Sequence, residues 1–206
     1  MHFRGALHMK NEQQIREIFI SNAIHLIGEG GFEKATTKEL TNYQSDSHSL
    51  KMNEAYIYRV FGSKEAIYEA AFVSLDQELY DAILGAFNAV NFNEGDVKEK
   101  FYEFFSKSWR FMMKNEKRCR CYVRYYYSIY FKGSSLQGHN AHFENIVTLF
   151  APLFREKADV NEILHSVFTS LLDFSVRVHN CDLANTPEVR HHVFNILYCM
   201  LATYLK

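Results

Sequence analysis

Phosphate oxygens accept hydrogen bonds from hydroxyls, from lysine ammonium groups and from the free N–H groups at a helix start. One short stretch of this chain collects such groups twice. Thr36 and Thr37 stand at one predicted helix start, and Tyr58 and Lys64 flank the end of the next short helix. Between Lys34 and Lys64 there are five basic and three acidic residues, a weakly positive local balance. Each residue also has a plainer reading, Tyr58 as a core tyrosine and Lys64 as a solvated first-turn lysine. Phe32, Ile57 and Phe61 read as core.

A second group is aromatic. Phe105, Trp109, Met112, Tyr122, Tyr125, Tyr126, Tyr130, Phe143 and Phe150 could surround a cavity for a small, largely apolar or aromatic ligand, with Arg124 and His142 as polar handles. The same side chains could simply fill a core. The density of tyrosines favours a pocket, because buried hydroxyls need partners that a ligand or water can supply. A third group is aliphatic. Ile163, Val167, Phe168 and Leu171 on one predicted helix, and Val193, Phe194, Leu197, Met200 and Leu201 on the last, cover wide apolar arcs. A helix apolar on more than one side needs two partners, one of which can be another chain.

Other chemistry lacks its signature. No GxGxxG, GxxxxGK[ST] or GxSxG occurs, so phosphate cradles and a nucleophile elbow have no support. His139, His142 and Glu144 sketch a metal site, but no ordered set of further ligands follows, and neither metal nor cofactor is expected. Asp173, His179 and Cys181 lack flanking residues that would make them catalytic, and an all-α enzyme is disfavoured because no paired acid and base appears.

The elements that must position these groups are helices. Ile15, Ile18, Phe19, Ala23, Leu26 and Ile27 repeat every 3.6 residues, and Gly28–Gly31 should stop that helix. Thr36 and Glu39 have capping-box spacing for a helix over about 37–43. Asn53 should cap a helix over 54–60, and Ser63 a long one to about residue 88, roughly 40 Å in length at 1.5 Å per residue. Asp96 opens a helix to about 115, and a tyrosine-rich helix spans about 117–131. Residues 133–138 read as a loop, followed by a helix over 140–154 that Pro152 disturbs. Asp159 caps a helix to about 180, and Thr186 with Pro187 opens the last. The count is nine helices and no convincing strand, an all-α chain.

Composition agrees. Nine glycines and two prolines, about 5% of 206 residues, are too few turn-formers for a many-stranded β protein. Apolar residues make up 48% and aromatics 16%, ample for a core, and a net charge of −1 gives no support for nucleic-acid binding from bulk charge. Four cysteines do not make a disulfide scaffold, and no apolar run approaches a membrane span or a signal peptide. The expectation is reduced thiols, a cytoplasmic location and no membrane partner.

Three short helices, a long connecting helix and a larger helical body form a recognisable plan. Residues 15–72 resemble the helix-turn-helix domain of the TetR/AcrR-type transcriptional regulators. The resemblance rests on GFEKATTKEL at 31–40 and AYIYRVFGSKEAIYEAAF at 55–72. It implies a DNA-binding domain over 10–72 and a ligand-binding and dimerisation domain over 73–206. By matching position, Thr37, Lys38, Tyr58 and Lys64 would clamp phosphates, with Thr36 beside them. Glu54, Ala55, Tyr56 and Arg59 would lie on the recognition helix, near the base edges of a major groove. The last two helices would form the homodimer interface, and the dimer would bind palindromic double-stranded DNA until a small-molecule effector releases it.

The chain departs from that pattern at one place. Fifteen residues separate Leu40 from Tyr56 where the family has about nine. The insertion, within Tyr43–Met52, contains no glycine, and it leaves open whether Lys51 or His48 adds a contact or groove entry is spoiled. A second reading therefore stands beside the first: a small-molecule binding or interaction protein of the same fold without sequence-specific DNA binding.

Overall fold

The computed structural model of this chain describes the backbone of residues 2–42 and 53–206, and side chains from residue 12 onward. The insertion at 43–52, with His48 and Lys51, lies outside the described residues. Nine α-helices account for most of what is described: α1 His2–Gly30, α2 Thr37–Asn42, α3 Glu54–Phe61, α4 Lys64–Asn88, α5 Val97–Lys114, α6 Glu116–Tyr126, α7 Gly133–Phe150, α8 Val160–His179 and α9 Pro187–Ala202. The one β pairing among the described residues is an isolated bridge between Phe154 and Leu205.

Local chemistry explains most boundaries. The Thr36 hydroxyl accepts from the Glu39 amide at 3.1 Å, and Ser63 accepts from the Ala66 amide at 3.1 Å, each satisfying a free donor of a helix first turn. Asp96, Asp159 and Thr186 cap α5, α8 and α9 through the amides of Glu99, Glu162 and Val189. Asn53 precedes α3 but makes no side-chain cap bond, contrary to expectation. Gly62 ends α3 with φ +80°, the left-handed geometry that glycine adopts without a Cβ clash.

Four boundaries differ from the sequence reading. α1 begins at His2, well ahead of the first residue of its apolar period, and ends at Gly30 within the expected glycine run, with Gly31 at φ +83°. Gly28, still inside α1, permits a close approach: a Cβ there would overlap the Lys117 backbone carbonyl. α6 ends at Tyr126 rather than near 131, because the Ser128 hydroxyl donates to the Tyr125 carbonyl and turns the chain. Residues 133–138, read as a loop, form the first turns of α7, where the Ser135 hydroxyl donates to the Lys132 carbonyl at 2.9 Å. α7 stops at Phe150, and Pro152, which cannot donate to a helix, sits in a 3-10 turn over Ala151–Leu153.

The chain divides into two compact units, residues 1–76 with 117–136, and residues 77–116 with 137–206. The first unit therefore takes in α6 and the turn after it, as well as the segment of the family resemblance. Its core gathers Ile18, Phe19, Ile27, Leu40, Ile57, Ile67 and Phe72, all buried. In the second unit α8 packs on α9, and α5 on both. Its core is built around Phe101, Phe105, Phe150, Leu164, Val193, Phe194 and Leu197.

Candidate functional sites

In the first unit α2 and α3 both pack on α1. Two α1 side chains hold the carbonyl ends of these helices. The buried Asn22 amide donates to the Leu40 carbonyl of α2 at 2.8 Å. Arg16 donates to the Val60 carbonyl of α3 at 3.2 Å, and its guanidinium lies 4.6 Å from the centre of the Phe61 ring. From α4, the Tyr68 hydroxyl donates to the Ala35 carbonyl at 2.6 Å and fixes the chain entering α2. Burial pushes the Tyr68 hydroxyl pKa upward, so it remains a donor. Sequence reasoning missed all three. The signal was there for Asn22, a polar residue three and four positions from Phe19 and Ile18 on an otherwise apolar stripe.

With α2 and α3 held this way, Thr36, Lys38, Glu54, Ala55, Tyr58 and Arg59 are exposed, and Thr37, Tyr56 and Lys64 are half-buried. Tyr58 is 59% exposed, which overturns its reading as a core residue. The Arg59 guanidinium stacks over the Tyr56 ring at 4.5 Å, and the Lys64 ammonium lies 5.6 Å from the centre of the Tyr68 ring. These contacts order two cations without neutralising them. Glu54, in the first turn of α3, is the exposed carboxylate on the same helix.

The second unit contains a cavity of about 110 Å³, lined by nineteen residues from α4, α5, α7, α8 and α9. Phe105, Met112, Phe143 and Phe150 lie on its wall. Trp109 does not; it is buried beside Phe105, with its indole N–H donating to Asn185 at 3.4 Å.

Tyr122, Tyr125, Tyr126 and Tyr130 are corrected outright, because they belong to the first unit. Phe72 stacks on Tyr122 and on Tyr125, Tyr126 packs on Phe131, and Tyr130 packs on Phe32 and Tyr68. The chain itself supplies partners for two of the hydroxyls. Tyr122 donates to Asp76 at 3.0 Å, and Tyr125 to the Tyr130 carbonyl at 3.0 Å. Burial and then the Asp76 carboxylate raise the Tyr122 pKa. Arg124 donates to the Ile27 carbonyl, and His142 stacks on Tyr80 at 4.6 Å, so neither is a handle in the cavity.

The residues expected at a dimer interface divide. Val193, Phe194, Leu197 and Leu201 are buried in the core of their own unit, which corrects their assignment. Val167, Phe168 and Leu171 line the cavity while half-buried, and Ile163 and Met200 are also half-buried. The apolar surface that α9 leaves open is Ile196 and, just beyond its end, Tyr204, 38% and 44% exposed, with Cys199 between them. Periodicity shows that α9 is apolar nearly all round, not which side turns inward.

Among the described residues no group of three potential metal-ligating side chains comes together. His139 packs against Phe143 and Phe168, and His179 bonds the Met112 carbonyl at 3.1 Å. No helix among the described residues is long and apolar enough to cross a membrane.

No family model and no curated protein matches the sequence. Solved structures do match in shape. A TetR family transcription regulator from Marinobacter aquaeolei is similar with a TM-score of 0.72 at 14% identity, over 93% of this chain and 97% of that one. The fatty acid degradation regulator FadR from Bacillus halodurans gives 0.60 at 15% identity, over 89% and 94%. The TetR family transcriptional regulator PfmR from Thermus thermophilus gives 0.58 at 20%, over 87% and 96%. At these identities the likeness concerns the fold, and the chain has the all-helical fold of TetR-type regulators.

Proposed function

We propose that this chain is a cytoplasmic transcriptional regulator of TetR type, acting as a repressor rather than as an enzyme. In this reading residues 10–72 bind palindromic double-stranded DNA, and residues 73–206 hold a small apolar effector and the second copy of a homodimer. One observation carries the reading. In a TetR-type fold, α3 is anchored by its buried face to α1 and turns Tyr58, Arg59 and Ala55 to solvent. Thr37, Lys38, Tyr58 and Lys64 then supply hydroxyl and ammonium donors for phosphates, while Tyr56, Arg59 and Glu54 face base edges. The dimer uses the outward side of α8 and α9, through Ile163, Ile196, Met200 and Tyr204, and sets two recognition helices about 34 Å apart.

α4 gives Ile67 and Phe72 to the first unit's core and Leu79 and Ile83 to the cavity wall. An effector that binds one arrangement of α4 better than another shifts the population of DNA-competent dimers.

The test is selection of duplexes from a random pool, followed by anisotropy titration at two salt concentrations. A palindrome whose affinity falls steeply with salt is expected. Tyr58→Phe and Lys64→Ala should weaken binding of the selected duplex with the dimer intact, and unchanged affinity in both would refute the phosphate roles. The fifteen-residue separation of Leu40 from Tyr56, together with the exposed Glu54, favours a second reading, an effector-binding protein without DNA specificity. A folded dimer that enriches no sequence would establish it.

A further inference from the structure

The cavity of the second unit has a narrow chemistry. None of its nineteen lining residues is charged, and their only side-chain oxygens are the hydroxyls of Ser108 and Tyr198. Ser108 is turned back on its own helix, its hydroxyl donating to the Phe104 carbonyl at 3.2 Å. Tyr198 presents its ring, stacked on Phe194 at 5.5 Å. Burial raises the Tyr198 pKa first, and the Asp96 carboxylate adds to it, so that hydroxyl stays protonated.

The imidazoles that ring packing places against the wall, His139, His165 and His191, meet Phe143, Phe168 and Phe194, and none of the three lines the cavity itself. The ammonium that ring packing places nearest, Lys98, lies 5.7 Å from the centre of the Tyr198 ring and does not itself line the cavity, so an anion inside would give up its water with no lining cation to pair with, and such a group is either excluded or neutralised.

Size narrows the class further. An engineered cavity of about 150 Å³ lined by Leu, Ile and Phe stays dry and binds benzene. At about 110 Å³ this cavity is of the same order and equally apolar in lining. We propose that it binds an uncharged hydrocarbon group, one aromatic ring or a short alkyl chain, and rejects the same skeleton bearing a carboxylate. This deepens the regulator reading only in naming the effector's chemistry, and its test needs no DNA.

The experiment titrates the full chain at pH 7 with toluene, benzyl alcohol and benzoate, following thermal stabilisation and methyl NMR shifts of the wall residues. Toluene should bind at one site per chain, benzyl alcohol more weakly, and benzoate at least 100-fold more weakly than toluene. Leu171→Phe, which places a ring where the toluene would sit, should abolish the toluene response. Should that variant unfold, Val167→Ile supplies a smaller filling and should weaken toluene binding several-fold.

Benzoate binding as tightly as toluene would overturn the proposal, since a partner for the anion must then exist. Absence of any toluene response in the folded chain would overturn it as well. Failure to enrich DNA would refute the regulator reading and leave these titrations unchanged, so the two failures are distinguishable.

Discussion

Replacing Asn22 by leucine tests whether α1 sets the position of α2. Asn22 is 1% exposed, and its amide donates to the Leu40 carbonyl at 2.8 Å, next to a Leu40 side chain that is itself fully buried. Leucine has the same number of side-chain heavy atoms, the same branching at Cγ and no donor, so the substitution leaves no cavity and removes the bond. A buried acceptor left without its partner costs about 1–3 kcal/mol. With a urea dependence of about 2 kcal/mol/M for a chain of this size, the unfolding midpoint should fall by roughly 0.5–1.5 M.

Loss of the anchor should also be local. Amide exchange in α2 should accelerate more than in α8 or α9, which lie in the other unit. For the regulator reading, DNA affinity should drop more than stability does, because a recognition element that moves by an ångström loses its contacts. A midpoint shift below about 0.2 M with unchanged α2 exchange would refute the reasoning. It would mean that α2 is placed by apolar packing alone.

Gly28→Ala should destabilise the chain by more than about 1 kcal/mol, although alanine normally favours a helix interior by about that amount over glycine, because the new Cβ meets the Lys117 carbonyl; chemical denaturation gives the sign. Thiol labelling should modify Cys181 and Cys199 readily and leave Cys119 and Cys121 intact until the chain unfolds, since burial excludes the reagent and pushes the Cys121 pKa up to about 12. If the homodimer forms through the outward face of α9, Cys199 should become protected as protein concentration rises while Cys181 does not, and equal labelling of both at all concentrations would exclude that interface. His25 has its pKa lowered by burial and by the Lys117 ammonium 3.2 Å away, against an opposing pull from Glu29. The folded state therefore prefers the neutral ring, and stability should fall as pH drops through about 6.5, the unfolded value. His25→Gln should flatten that part of a stability–pH profile.

Much of this protein was legible in its residues because the signals are short-range. Thr36, Ser63, Asp96, Asp159 and Thr186 cap helices through amides three residues away, and a 3.6-residue period needs only its own helix. Those signals settled the all-α class and most helix starts, and the pieces at 31–40 and 55–72 pointed to the fold that the solved structures share. Tertiary structure decided what depends on partners distant in sequence. Tyr122 and Tyr125 look like pocket residues until Phe72 and Asp76, some fifty positions earlier, take their rings and a hydroxyl. Gly28 reads only as the first of a run of glycines that ends a helix, until the Lys117 backbone is seen against it. Val193 and Leu197 read as surface for a second chain until α5 and α8 cover them. The common reason is that an apolar or small residue states only that it must be buried or approached closely. Which neighbour does so is fixed by the packing of the whole unit.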